Sequence, residues 1–261
     1  MPEYSVASRA VSAVLQRPPE IWYSKSESAL AKTPMVIIGA LTRSTNNALL
    51  VRIGDPPGIL AIYKPVRSAR PLWDFDKNSL HRRERAAYLV ARALGWCFVP
   101  PTIIRDGPLG EGAVQIYIPP VRAEQYFEFA DDSRYSEELM RVCVFDFAIN
   151  NADRKAGHCI IDKKGRLWVL DHGTCFHRDD KLRTVIWEFA GAPVPQRILE
   201  DVAAFEHDLE RGESPSKVAR QLENLLDLSE IAALKHRLHW LLESGRFPET
   251  LSEPPLPWPP I

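Results

Sequence analysis

What is scarce in this chain narrows the possibilities first. Its four cysteines, Cys97, Cys143, Cys159 and Cys175, are widely spaced with no Cys-x-x-Cys pair, which excludes a disulfide-stapled scaffold. They read as small buried hydrophobes in a reducing compartment. An excess of either charge is missing too: 33 basic residues face 34 acidic ones, so composition carries no footprint for nucleic acid or a charged membrane surface. No run approaches the roughly 20 apolar residues of a membrane span, and MPEYSVASRAVSAVLQRPPE has no basic leader ahead of an apolar core. The expected location is the cytoplasm, with no nucleic-acid partner and no integral membrane association. Glycines are grouped only in GPLGEG at residues 107–112. They are not spaced as G-x-G-x-x-G and open no helix, so they predict a tight turn and no dinucleotide site.

What remains is ordinary globular material, 45% hydrophobic and 26% charged over 261 residues, enough to bury a substantial core. Val6, Ala10, Val11, Val14 and Leu15 predict a docking helix over 5–16, stopped by Pro18-Pro19. From Pro34 the pattern becomes β-rich: MVIIGAL, ALLVRI and GILAIYKPV predict three antiparallel strands, and two more flank GPLGEG. Between the two groups, SLHRRERAAYLVARALGW predicts a helix capped by Ser79 and ended by Gly95. Beyond Pro119-Pro120 helical patterns dominate, over 135–149, 196–210, 214–226 and 228–244, before a Pro-rich tail.

The chemistry is concentrated in residues 150–177, NNADRKAGHCIIDKKGRLWVLDHGTCFH. A polar loop leads into a short strand, a turn at 162–165 and a second strand ending at Asp171-His172-Gly173. Apolar runs flank it, the setting in which a scaffold presents functional groups. Upstream, Ser44, Thr45 and Asn46 form a hydroxyl and amide cluster able to aim donors at an anion. Alternation along its strand puts Lys64 on one face with Ile62 and Leu60, the face predicted to be covered, where an ammonium needs an anionic partner. Glu84, on the Ala87 side of the helix, is the natural candidate.

Phosphoryl transfer needs held phosphates, a metal at the bridging oxygens and a carboxylate that orients the attacking hydroxyl. The candidates occur in that order: Ser44 to Asn46, Lys64, Glu84, Asp153, His158 and Asp171. Asp153 and His158 lie five residues apart on one loop, so one can face an acceptor while the other turns toward a metal. Lys155 can neutralise charge on the transferred group.

At these residues the chain resembles the atypical kinase superfamily of phosphatidylinositol kinase-like and HipA-type kinases. That superfamily's D-R-x-x-x-N loop and I-D-x-G metal motif correspond to Asp153-Arg154-Lys155-Ala156-Gly157-His158 and Leu170-Asp171-His172-Gly173. More closely, YKPVRSARPLWDF, ALGWCFVPPT, RDGPLGEGAVQ, NNADRKAGH, DHGTCFH and KLRTVIWEFAG resemble a bacterial phosphatidylinositol kinase-like family, over about residues 34–195.

The resemblance implies an α+β, two-lobed protein-kinase-like fold. An N-terminal helix and linker would span 1–33. A small antiparallel sheet with one helix would form the N-lobe over 34–118, and a mostly helical C-lobe would span 119–261. It implies transfer of the ATP γ-phosphate, with Mg2+ or Mn2+, to a hydroxyl acceptor on a protein or small molecule. It further implies that Lys64 contacts the α/β phosphates, that Glu84 positions it, and that Gln115, Ile116, Tyr117 and Ile118 form the adenine-binding hinge. Asp153 is then the base, and His158 and Asp171 the metal ligands. The pattern departs at His158, where most relatives carry Asn; an imidazole prefers softer ions than Mg2+. That departure also admits a nucleotide-binding pseudokinase. A hydrolase using Asp153, His158, Asp171, His172 and His177 on one ion is the third reading, though Asp171 and His172, adjacent in an extended segment, point to opposite sides.

Overall fold

The computed structural model describes residues 20–41, 47–121, 125–211, 215–250 and 255–261. The helix expected over 5–16 and the phosphate-loop candidates Ser44, Thr45 and Asn46 lie outside the described residues. The architecture is α+β. Strands β1 (Met35–Ala40), β2 (Leu49–Ile53), β3 (Ile59–Pro65), β4 (Thr102–Gly107) and β5 (Gly110–Ile116) form one antiparallel sheet in the order β1-β2-β3-β5-β4.

Two helices serve this sheet. One, α1 (Glu20–Lys32), occupies a segment expected to be linker. It buries only Tyr23, Ser26 and Leu30, a stripe too narrow to stand out as amphipathic in sequence. The other, α2 (Leu80–Ala93), is buried on nearly every side, charged residues Arg83 and Glu84 included. Ser79 sits at its start without capping it: the hydroxyl donates to the Asp76 carbonyl (2.8 Å) and accepts from Arg83 Nε (3.1 Å).

The pleat of β3 corrects one expectation. The fully buried residues are Ala61 and Tyr63, which share a core with Val51, Val114 and Ile103. Lys64 lies on the opposite face, where Ala113, Gln115 and Thr102 of neighbouring strands are buried but Leu60 is 37% exposed and Ile62 is only half-buried. Covered at one end and open at the other, that face forms the wall of a cleft. Glycine at 112 permits this arrangement, because a Cβ there would lie 2.5 Å from the Lys64 carbonyl oxygen.

The rest is helical apart from one hairpin. It comprises α3 (Tyr126–Phe129), α4 (Ser136–Ala148), α5 (Gln196–Glu210), α6 (Lys217–Glu223) and α7 (Leu228–Ser244). The helix expected over 214–226 runs only from Lys217 to Glu223; its start is set by Ser216, which caps it by accepting from the Ala219 N–H at 3.1 Å. The hairpin, β6 (Cys159–Ile161) with β7 (Leu167–Val169), follows α4. Its Ile160 and Trp168 side chains join the sheet core, whereas Cys159, Ile161, Leu167 and Val169 join the helical core. The hairpin is thus the stitch between the two parts, and the polar loop at its base is fixed to both.

Candidate active site

Three elements deliver three charged groups to one point. Lys64 comes from the end of β3, Glu84 from the second turn of α2, and Asp171 from the residues after β7. Lys64 Nζ donates to Glu84 Oε1, and to Asp171 Oδ1 at 2.9 Å. Glu84 Oε2 also accepts the His172 backbone N–H at 3.2 Å, which ties α2 to the Asp171 segment. Asp171 adopts φ 59°, a left-handed conformation that Asp tolerates better than most residues.

One ammonium between two carboxylates leaves an excess of negative charge. Burial would lower the Lys64 pKa, but Asp171 and then Glu84 reverse that and hold it above the usual lysine range. Burial pushes against ionisation of Asp171 as well, yet Lys64 and His158 outweigh it and keep the carboxyl well below its ordinary value. Glu84 has only 3% of its side chain exposed, against 28% for Asp171. Burial accordingly raises its pKa against the pull of Lys64.

The loop carrying Asp153 is held from below by a buried ion pair. Arg154 and Asp146 are both fully buried, and Arg154 donates to Asp146 from Nε and Nη2, each at 2.8 Å. Its remaining donors reach the Leu170 carbonyl at 2.7 Å and His172 Nε2 at 2.9 Å. One guanidinium therefore locks α4, the Asp153 loop and the Asp171 segment together. Asn151 adds two links, donating to Asp146 Oδ1 (2.9 Å) and accepting the Asp153 N–H (3.0 Å). Asn150, at φ 52°, donates to the carbonyls of His177 and Asp179 and accepts from the Lys181 N–H, bracing the chain that follows Asp171.

On this base Asp153 is two-thirds buried, and desolvation, opposed by Lys155 and reinforced by Asp171, pushes its carboxyl up to about 6. Lys155 Nζ stands 3.4 Å from Asp153 Oδ2. His158 Nε2 lies 3.6 Å from Asp171 Oδ2, and burial pushes its pKa down to about 4, so the ring is neutral near pH 7. The Lys155 backbone N–H points at His158 Nδ1 at 3.4 Å, which leaves the ring proton on the nitrogen facing Asp171.

The structure therefore gathers Lys64, Glu84, Asp171 and His158, with Asp153 and Lys155 beside them. The expected hinge residues are not one exposed strip. Gln115 and Ile116 belong to β5 and are buried, Gln115 Nε2 donating to Thr102 Oγ1 at 2.7 Å. The Ile116 and Tyr117 N–H groups are taken by the carbonyls of Pro101 and Leu60, and Ile118 is buried in the sheet core. Tyr117 alone keeps a half-open side chain.

The braces Asp146, Asn150 and Asn151 escaped the sequence reading. Asp146 carried a signal, as one carboxylate inside the apolar run VCVFDFAI. The hydrolase cluster does not assemble: His172 turns into Arg154, and His177 meets the Phe75 ring edge-on. Among the described residues no group of three His, Cys, Asp or Glu side chains is gathered as a metal site. Asp171 alone offers the carboxylate oxygen a magnesium-type ion takes, while the His158 imidazole beside it suits a softer ion. For His158 to bind through Nε2 the ring must change tautomer, giving up the long hydrogen bond from Lys155.

No protein-family model matches the chain. Protein Rv2133c of Mycobacterium tuberculosis is 35% identical to it over 270 residues, spanning 89% of this chain and 94% of the relative. Among solved structures, that of the Golgi casein kinase with Mn/ADP bound superposes with a TM-score of 0.60 over 87% of this chain and 76% of that one, at 14% identity. Hydra Fam20 with sugar gives 0.53 over 93% and 95%, at 16% identity. At such identities the likeness speaks for the fold, which is that of the two-lobed protein kinases.

Proposed function

The chain belongs to the family of Rv2133c, and from that premise we propose that it is an ATP- and divalent-metal-dependent phosphotransferase that moves the γ-phosphate to a hydroxyl. The observation that carries this is the junction of Lys64 with Glu84 and Asp171, three elements meeting beside a carboxylate with a raised pKa. Phosphoryl transfer is mainly positioning and charge stabilisation, and such a junction supplies both. Lys64 holds phosphate oxygens and Glu84 orients Lys64. Asp153 accepts the acceptor's proton, a role for which a pKa near the working pH is suited. Lys155 balances charge on the transferred group. Ser44, Thr45 and Asn46 complete the phosphate cradle, and residues 115–118 contribute the adenine side through Tyr117.

Asp171 and His158 are the residues that would hold a Mg2+ or Mn2+ ion, whose charge would offset that developing on the phosphates. The Golgi casein kinase structure, of the same fold, was solved with Mn/ADP bound, which supports a nucleotide with a divalent metal as the pair to test. The family is read as a cytoplasmic branch of the phosphatidylinositol kinase-like and HipA-related kinases, with lobes 34–118 and 119–261 after an N-terminal segment 1–33. Fold analogy does not select the acceptor, which is a protein or small-molecule hydroxyl.

The test is thermal unfolding with ATP plus Mg2+ or Mn2+. Nucleotide and metal together at about 100 times the dissociation constant add about 2.7 kcal/mol of stability, and Lys64→Met removes the shift. No shift with any nucleotide and metal pair overturns both the kinase and the pseudokinase readings.

A further inference from the structure

The proline-rich tail, Pro255 to Ile261, lies against the loop that carries Asp153. Two of its carbonyls accept hydrogen bonds there: Pro260 takes the Ala156 N–H at 2.9 Å, and Pro255 takes the Thr184 N–H at 3.3 Å. Both donors belong to one local assembly. Thr184 pairs with Arg154 in a parallel bridge, in which the Arg154 N–H donates to the Arg183 carbonyl at 3.0 Å and the Val185 N–H to the Arg154 carbonyl at 3.1 Å. The tail therefore grips the bridge at Thr184 and the Asp153 loop at Ala156.

The composition of the tail suits it to this task. Four of its seven residues are proline, which keeps such a segment extended before it is seated, so little chain entropy is lost on docking. Proline has no N–H, so at 255 and 260 the tail can only accept. Pro257 is buried between the exposed Leu256 and Trp258, which shows that the segment is seated along one side.

What the tail fixes is the position of the reacting groups. Of the N–H groups that open the loop, that of Asp153 is taken by the Asn151 side chain and that of Arg154 by the Arg183 carbonyl. Ala156 is fully buried, and the Pro260 carbonyl is what its N–H has in place of water. The short turn that Ala156 opens ends at His158. Without Pro260 that turn can swing while Lys64, Glu84 and Asp171 keep their junction. We propose that the tail is a positioning strap for phosphate transfer: through the Pro260 carbonyl it fixes the 153–158 loop, and with it Asp153 and His158. Its role in transfer rests on the phosphotransferase reading, whereas its hold on the loop does not.

Amide hydrogen exchange and steady-state kinetics, comparing the full chain with three variants, test this. Ala156→Pro deletes the N–H that Pro260 accepts. Lys155 already has the extended backbone (φ −88°, ψ 160°) that a residue before proline favours, and position 156 opens its turn, where proline fits. A chain ended at Pro255 removes the Pro260 contact altogether and carries the test should Ala156→Pro fail to fold. Trp258→Ser changes a side chain that is 89% exposed and leaves the strap in place. In wild type the Ala156 amide is protected. Ending the chain at Pro255 speeds its exchange about tenfold or more while helix α4 exchanges as before, and Trp258→Ser changes neither. Ala156→Pro and the shortened chain each lower kcat about tenfold or more, with the KM for ATP and the nucleotide-dependent thermal shift kept, the pattern of misplaced reacting groups with binding intact. The proposal is overturned if the wild-type Ala156 amide exchanges freely, if shortening the chain leaves that exchange unchanged or quickens it throughout α4 as well, if kcat holds or rises in the shortened chain, or if Trp258→Ser frees the loop. A wild type whose Ala156 amide is protected but which transfers no phosphate keeps the strap and overturns the phosphotransferase reading.

Discussion

Removing the Asp146 carboxylate is the sharpest perturbation of the scaffold. Asp146→Ala withdraws the acceptor of three hydrogen bonds, from Arg154 Nε, Arg154 Nη2 and Asn151 Nδ2, at a point with no solvent exposure. Arg154 keeps the Leu170 carbonyl and His172 but loses its one carboxylate partner among the described residues, so a full positive charge stays buried without that counter-ion. Breaking such a pair from one side costs about 3–5 kcal/mol. For a chain of this size each kcal/mol lowers Tm by about 2–4 °C, so the melting point falls by about 6–20 °C. Arg154→Met costs less, because a carboxylate near Asn151 still finds a donor. The double variant Asp146→Leu/Arg154→Met recovers much of the loss, since apolar residues of similar volume often replace a buried pair at little cost. Phosphate transfer nevertheless stays low in the double variant, because the Asp153 loop has lost its clamp. Urea and thermal unfolding of wild type, Asp146→Leu, Arg154→Met and the double variant complete the cycle. A loss under about 1 kcal/mol for Asp146→Ala, or a double variant no better than the worse single, refutes the account of this pair as a buried charge clamp.

Two further outcomes concern the reacting groups. With the Asp153 carboxyl pushed up to about 6, its basic form is absent at lower pH and grows as pH rises, so the acid limb of kcat/KM is centred near that value; a limb near about 4, where an ordinary Asp titrates, contradicts the burial argument. His158 is neutral and meets Asp171 only at 3.6 Å. His158→Asn therefore keeps or raises Mg2+-supported transfer relative to Mn2+, and complete loss with both metals shows that the imidazole has another role.

The fold was legible where periodicity is strong and local. The five strands, the helix over 80–93 and the two long C-terminal helices follow from alternation and 3.6-residue spacing. Helix α1 was not legible, because a helix that buries three side chains has almost no stripe to read. The site was half legible. Lys64, Glu84, Asp153, His158 and Asp171 announced themselves as polar groups in apolar or turn-rich settings, and the Lys64–Glu84 partnership follows from strand alternation and helix face. Which face of β3 was open did not follow, since burial there depends on where α2 ends its cover of the sheet. The Arg154–Asp146 clamp was hidden for a similar reason: it links residues of α4 and the loop through geometry that only the packed chain defines.

The central claim is phosphate transfer supported by Asp153. Following label from [γ-32P]ATP with Mg2+ or Mn2+ onto protein or small-molecule hydroxyls, wild type transfers label and Asp153→Asn loses most of it while keeping the nucleotide-dependent thermal shift. Equal transfer by the two proteins contradicts the role given to Asp153, and a wild type that binds nucleotide with metal but transfers nothing contradicts the phosphotransferase assignment itself.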